Sequence, residues 1–224
     1  MIEEQYRTEY EGEFVITGVK YVNGRKQQER EFVDNPIEVK SISGRATCVS
    51  NGISSTKIIL ERLMKYHGLL NTLPLNVYST GDLYKKFHAN FHVSFNTDEL
   101  QELIETNLTE NIIVYTSTTQ CVKFPGEFFI IPYSYKSTKE AVAAYLAAFD
   151  GHREVFLLGY DEYSADGLTR RTKMIESLIP VLKTYSNTKF YHVISEGNTP
   201  KEWLSYRNLK TMPLMEYVSY CDIS

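Results

Sequence analysis

The sequence predicts an α/β protein built on a mainly parallel, Rossmann-like sheet with helices on both faces, preceded by a β-hairpin. Segments of strand and helix character alternate from Ala46 to Ile194, which is the order that parallel sheets require. Val155 to Leu158 is a continuous apolar run of strand length, typical of a strand covered on both faces. Asn23-Gly24 separates two β-rich runs, 14–22 and 28–33, and predicts the hairpin turn.

The length of 224 residues is sufficient for one large core, and no Pro/Gly/Ser-rich linker divides the chain. We therefore expect residues 44–224 to form a single α/β domain. Residues 1–43 are expected to be an extension whose hairpin packs on that domain. Within this extension the charged segment 1–13 is expected to be loosely ordered.

Composition limits the classes of function. A net charge of −4 and a pI near 5.8 argue against a protein that coats nucleic acid by bulk charge. The absence of a signal-peptide pattern and of a long apolar run predicts a soluble, cytoplasmic protein. Cys48, Cys121 and Cys221 have no close pairing and are expected to be reduced and buried. His88 and His92 fall on a predicted strand, too far apart to share a metal ion.

The predicted hairpin carries a group of basic residues: Lys20, Arg25, Lys26 and Arg30. One interpretation is a solvated sheet edge, where lysine and arginine discourage aggregation. The other is a basic finger that contacts an anionic partner.

Two predicted strands end in polar segments. Val155 to Leu158 is followed by Gly159 and then by 160–163, Tyr-Asp-Glu-Tyr, at the strand end where open α/β sheets place their ligand crevices. The strand at 46–49 leads into the glycine-containing turn 50–56 and then into a helix. That layout can present free backbone N–H groups to a phosphate, although an ordinary helix cap has the same sequence.

With these elements in order, the chain resembles the small bacterial sialyltransferases, single-domain α/β enzymes that use nucleotide sugars. Residues 151–163, GHREVFLLGYDEY, are similar to the family segment Gly-Tyr-Lys-x-Ile-Tyr-Leu-x-Gly-Ile-Asp-Phe-Tyr. Residues 50–54 are similar to the family's Gly-Asn-Gly-Pro-Ser turn. Residues 91–96 are similar to an apolar strand ending in Asn, and 182–192 to a Ser-Lys-Thr-Tyr helix end that leads into a strand.

The resemblance implies how the donor is bound. Asn51, Gly52 and Ser54 would face the nucleotide of the donor, and Asn96 would lie near its phosphate or sugar. Tyr163 matches a tyrosine whose hydroxyl binds the donor phosphate. Such a group stabilises the charge that the leaving nucleotide gains in the transition state.

The chain departs from the family after Tyr163. The family has a second tyrosine and a catalytic histidine there, whereas residues 164–173 contain no histidine and include Arg170 and Arg171. An arginine can replace a phosphate-binding tyrosine because it neutralises charge and donates hydrogen bonds. Arginine cannot act as a base.

Carboxylates are therefore the candidates for a base that deprotonates the acceptor: Asp161, Glu162 and Asp166. Asp161 matches a family aspartate, and capping a neighbouring loop or helix is an equally good interpretation of it. Ser137 and Thr138 stand where the family has Ser-Gly ahead of a long helix. The sugar or base pocket is thus expected to differ, so the donor need not carry sialic acid or cytidine.

These residues predict a glycosyltransferase, a variant of the GT-A-like fold, that moves a sugar from a nucleotide-sugar co-substrate to a hydroxyl acceptor. No Asp-x-Asp follows a strand, which predicts metal independence and leaves a divalent cation open.

The acceptor is a glycan, a small molecule or a hydroxymethylated base in DNA reached through the basic hairpin. The tail 215–224 has no basic residue that would attract it to a membrane. Two alternatives remain: a nucleotide-binding protein that has lost catalysis, and pyrophosphate transfer to a pterin alcohol.

Overall fold

The computed structural model describes residues 2–10, 12–34, 44–52, 54–55, 60–63, 75–87, 89–161 and 167–221. Ten strands form one sheet in this part of the chain. They are β1 (Glu13–Val22), β2 (Arg25–Val33), β3 (Arg45–Val49), β4 (Leu75–Thr80), β5 (Phe91–Val93), β6 (Ile113–Thr116), β7 (Phe129–Ile130), β8 (Glu154–Leu158), β9 (Lys189–Ile194) and β10 (Leu209–Pro213). The order across the sheet is β10-β9-β8-β3-β4-β5-β6-β7-β1-β2. Every pair from β10 to β7 is parallel, and β1 and β2 are antiparallel additions at one edge.

Helices connect the parallel strands, as the alternating sequence pattern predicts. They are α1 (Thr97–Glu105), α2 (Thr118–Lys123), α3 (Lys139–Phe149), α4 (Gly167–Thr184), α5 (Lys201–Leu204) and α6 (Leu214–Tyr220), and residues 60–63 are also helical. Asn96, Ser117 and Thr138 cap α1, α2 and α3 by accepting hydrogen bonds from backbone N–H groups of the first turn. In the described ranges, no helix combines the length and apolarity that crossing a membrane requires.

The central strands are buried on both faces, which explains their continuous apolar runs. Val155 and Leu157 of β8 face α3, in one core. Phe156 and Leu158 point to the opposite face and pack with Tyr217 of α6 in a second core. Successive side chains of a strand point to opposite sides, so covering both sides removes any polar alternation. The prediction of a mainly parallel sheet with helices on both faces is confirmed.

The predicted hairpin is also confirmed, and its turn residues Asn23 and Gly24 both have positive φ, at 52° and 73°. This pair of angles is the one a two-residue hairpin turn requires. β1 pairs with β7 at Val15 opposite Phe129, and the strand then continues to Val22, roughly 23 Å further. Because β1 is antiparallel to β7, the hairpin tip projects from the edge where the parallel strands begin.

The N-terminal segment is anchored by a buried charge, contrary to the expectation of loose order at 1–13. The Arg7 guanidinium is fully buried and pairs with Glu13 and with Asp150, the latter at 2.5 Å. Tyr115 donates to Glu13 at 2.9 Å, and Tyr78 donates to Asp150 at 2.5 Å. Burial raises the pKa of both tyrosines well above the ordinary value, so their hydroxyls stay protonated and can donate.

Cys48, Cys121 and Cys221 are all buried and unbridged, as predicted. Burial raises the pKa of the Cys121 and Cys221 thiols to about 12, and it raises the pKa of the Cys48 thiol further. A cysteine nucleophile has to be a thiolate. These three side chains are therefore small core residues in this fold, not reactive groups.

Candidate functional site

The order of the strands reverses between β3 and β8. From β3 the chain moves outward through β4, β5, β6 and β7, and it returns along α3 to place β8 on the other side of β3. Open α/β sheets bind ligands outside the carboxyl ends of the strands at such a reversal. Asn51, Gly52 and Ser54 follow β3, and Asp161 follows β8. The structure thus brings these four predicted site residues together at the reversal.

The loops after β3 and β8 are bonded directly to each other. The backbone N–H of Gly52 donates to the Gly159 carbonyl at 2.9 Å, and the Gly159 N–H donates to Ser54 Oγ at 2.8 Å. A Cβ on Gly52 would collide with the Gly159 carbonyl and with the Asp161 carboxylate. Gly159 itself has a φ of +75°. Glycine at these two positions therefore allows the loops to touch.

Asp161 caps the turn that follows β3. Its buried carboxylate accepts from Ser54 Oγ at 2.9 Å and from the Ser54 N–H at 3.2 and 3.3 Å. Ser54 is fully buried, so neither side chain extends outward from the loops. Of the two interpretations of Asp161, the geometry favours the cap, because a base would have to give up these donors.

Asn51 is exposed and points along the carboxyl edge toward β4. Its Nδ2 donates to Asp82 Oδ1 at 2.6 Å. A Cβ at Gly81 would stand 2.7 Å from Asn51 Nδ2 and 3.0 Å from Lys139 Nζ. The amide of Asn51 and the ammonium of Lys139 therefore converge over the carboxyl end of β4.

Lys139 is a functional candidate that the sequence did not single out. It is the first residue of α3, where the helix dipole disfavours a positive charge. Its side chain is half-buried, and no carboxylate of the described residues lies within ion-pair distance of it. The sequence feature that could have identified it is a lysine directly after Thr138, the residue that caps α3. An anion bound here would complement both the ammonium and the helix N-terminus.

The remaining described candidates lie along the same edge. Asn96 caps α1 with its Oδ1, which accepts from Asp98 N–H at 2.8 Å and Glu99 N–H at 3.2 Å. The Asn96 Nδ2 has no hydrogen bond to the described part of the chain. Thr138 caps α3 by accepting from the Ala141 N–H at 3.4 Å. Ser137 borders a small cavity beside it.

Among the cavities lined by described residues, two are relevant to the carboxyl edge near these side chains. The larger, about 660 Å³, lies beside Asn51 and Asp82 and reaches Lys86. The smaller, about 210 Å³, lies at the ends of β5, β6 and β7 and is lined by Phe95 and Tyr135 among others. The convergence of Asn51 and Lys139 lies over β4, between the two.

Part of the predicted site is not described. Glu162, Tyr163 and Asp166 lie outside the described residues. Arg170 and Arg171 belong to α4, but their side chains are also outside the description. The roles assigned to these five residues remain predictions.

The basic hairpin is not part of the carboxyl-edge site. The hairpin exposes Lys20, Arg25, Lys26 and Arg30. Its tip lies where the parallel strands begin, at the end of the sheet opposite their carboxyl ends. Lys20 is paired with Glu29 at 3.1 Å.

Potential metal ligands do not cluster in the described ranges, where no group of three or more His, Cys, Asp or Glu could hold an ion. His88 lies outside these ranges. His92 is buried and contacts Glu99 Oε1 at 2.8 Å and Ser79 Oγ at 2.8 Å.

Comparison with known proteins gives no relative from which a role could be transferred. The chain matches no protein-family model, no curated protein and no solved structure.

Proposed function

We propose that the protein is a glycosyltransferase that moves a sugar from a nucleotide-sugar donor to a hydroxyl acceptor at the carboxyl edge of the sheet. The observation that carries this proposal is the convergence of Lys139 and Asn51 beside the reversal of strand order. A half-buried cation without an ion-pair partner in the described chain, at a helix N-terminus, is suited to a phosphate group. Under this proposal the fold is a GT-A-like variant.

The chemistry assigned to these residues is stabilisation of the leaving group. As the glycosyl bond breaks, negative charge grows on the phosphate of the departing nucleotide. A positioned ammonium therefore interacts more strongly with the transition state than with the bound donor, and this difference accelerates the reaction. The Asn96 Nδ2, which has no partner in the described part of the chain, would add a hydrogen bond, and the resemblance adds Tyr163 and Arg170.

Of the three candidates for the base that deprotonates the acceptor, the geometry disfavours Asp161, so we assign the role to Glu162 or Asp166. Asp161 is engaged by Ser54 through both of its carboxylate oxygens. To take a proton from an acceptor, Asp161 would have to break these hydrogen bonds. Asp161 would then hold the β3 and β8 loops together around the donor.

The acceptor under this proposal is a glycan or a small molecule. A DNA acceptor was expected to bind through the hairpin, yet the hairpin tip lies at the edge opposite the proposed site. Binding to duplex DNA would fall steeply with salt. Activity that does not change with salt would support the other acceptors.

Incubation with a panel of nucleotide sugars, with and without EDTA, tests the proposal. We expect slow release of free nucleotide from one donor, at a rate that EDTA does not change. A thermal shift with a nucleotide but no turnover would support the catalytically inactive alternative. Release of AMP from ATP in the presence of a pterin alcohol would support pyrophosphate transfer. No turnover and no thermal shift with any nucleotide would contradict the proposal.

A further inference from the structure

The smaller cavity on the carboxyl edge has mainly apolar walls. Its volume is about 210 Å³, and most of its lining surface is apolar, with Phe95, Ile130, Ile131 and Tyr135 among the nine residues that line it. The Tyr135 hydroxyl donates to the Ser177 carbonyl of α4 at 3.1 Å, which fixes the ring in place. The Tyr135 side of the cavity is therefore formed before any ligand binds, as in most small-molecule sites.

The hydroxyl groups in the wall are largely engaged within the protein. Thr116 Oγ1 donates to the Ser94 carbonyl at 2.6 Å. Ser117 Oγ accepts from the Gln120 N–H at 3.4 Å as the cap of α2. Thr118, Lys136 and Ser137 supply the other polar groups of the lining. The polar groups that could bind a ligand are thus few, in a space whose surface is mostly apolar.

This arrangement selects the chemical class of the occupant. A sugar ring carries hydroxyls on most of its carbons, and several of them would be buried here without partners, at a considerable cost. A planar heterocycle has two apolar faces and polar atoms only around its edge. Its faces match the aromatic and aliphatic side chains of the lining, and its edge can bind the few polar groups there.

The distance between this cavity and Lys139 also fits a nucleotide, which joins a planar heterocycle to a phosphate. Lys139 lies over the end of β4, and the cavity is centred near β6, two strand spacings or roughly 10 Å away. That separation is comparable to the reach from base to phosphate in a nucleoside 5′-phosphate. Asn96, at the end of β5, lies between them.

We propose that this cavity binds the nucleobase of the donor, an inference that rests on the proposed function. The phosphate then lies at Lys139, and the sugar to be transferred extends toward the larger, more polar cavity beside Asn51. The donor would then lie across the carboxyl ends of the strands, with its base near β6 and its sugar near β3.

Filling the cavity tests the proposal. Thr118 lines it, whereas the next residue, Thr119, is exposed and does not. Thr118→Trp and Thr119→Trp are therefore matched variants. Calorimetric titration would use AMP, GMP, CMP, UMP and, as a probe without a base, ribose 5-phosphate. The nucleotide that binds best to the unmodified protein is expected to bind about tenfold or more tightly than ribose 5-phosphate.

We expect Thr118→Trp to lower the affinity for that nucleotide by about tenfold or more and to leave ribose 5-phosphate binding unchanged. Thr119→Trp should change neither affinity. Unchanged ribose 5-phosphate binding also shows that the variant is folded; Ser137→Leu, which narrows the cavity from another wall, replaces Thr118→Trp if that variant does not fold.

Three results would overturn the inference. If the filled variant binds the nucleotide normally, the base lies elsewhere, and turnover of nucleotide sugars would still support the proposed function. If nucleotide affinity is unchanged and the acceptor KM rises, the cavity binds the acceptor. If the unmodified protein binds no nucleotide, both the inference and the proposed function are contradicted.

Discussion

Arg7→Met is expected to lower the free energy of unfolding by about 3–5 kcal/mol, because it leaves buried carboxylates without their counter-charge. Glu13 and Asp150 are both buried, and the guanidinium lies between them. The same side chain also donates to the Tyr115 hydroxyl at 2.9 Å. Methionine fills much of the space but offers none of these donors, so the two carboxylates remain desolvated and repel each other.

Urea denaturation of the unmodified protein and of the Arg7→Met variant measures this loss in the free energy of unfolding. Arg45→Met is the matched control, because Arg45 pairs with Glu154 at 3.1 Å but its side chain is 43% exposed. Exposed pairs contribute about 1 kcal/mol or less. Combining Arg7→Met with Glu13→Gln and Asp150→Asn should recover part of the lost stability. Equal losses for Arg7→Met and Arg45→Met would show that the N-terminal segment is not part of the cooperative fold.

Lys139→Ala is expected to lower kcat/KM for the nucleotide-sugar donor by about a hundredfold, the usual effect of removing one group that stabilises charge in a transition state. The same substitution should not lower the free energy of unfolding. Removing a cation from a helix N-terminus relieves an unfavourable dipole interaction of about 0.3–1 kcal/mol. Activity would therefore fall while the free energy of unfolding stays constant or rises slightly.

Lys183→Ala provides the control, because Lys183 is an exposed lysine in the last turn of α4, where a cation is favourable. Steady-state kinetics and urea denaturation of both variants make the comparison. If Lys139→Ala retains full activity, the phosphate does not bind at the end of β4. If both variants lose activity equally, the effect is one of overall charge.

The central strands could be predicted because burial on both faces leaves a continuous apolar run, as in β3 and β8. The sequence did not show β10 and α6 as separate elements. Only Leu209 and Met212 of β10 are buried, and this spacing of three residues breaks the alternation of a strand and is compatible with a helix instead. β10 forms by pairing with β9 at the sheet edge, a long-range contact that local sequence does not reveal.

The buried position of Arg7 could not be predicted for a similar reason. Its partner Asp150 is 143 residues away in sequence, and the pairing exists only once α3 has packed on the sheet. A segment of charged residues is usually solvated, so local composition indicated loose order. Here the pairing of Arg7 with buried carboxylates outweighs the tendency of a charged segment to remain solvated.

The candidate site could be predicted in part. Asn51 and Asp161 were placed at strand ends, and the structure places those ends side by side. The sequence could not show that Asp161 is occupied by Ser54, nor that Lys139 lies over Gly81. Both depend on the order of the strands, which sets how far apart the loops are. Ser137 and Thr138 lie in the turn that leads into Lys139, but the sequence did not indicate a role for that lysine.

The most direct test of the proposed site is a crystal structure of the protein with the nucleoside diphosphate that binds most tightly. We expect phosphate oxygens within hydrogen-bond distance of Lys139 Nζ, near the amides of Asn51 and Asn96. Phosphate bound anywhere else, for example at the basic residues of the hairpin, with Lys139 making no contact to it, would contradict the proposed site.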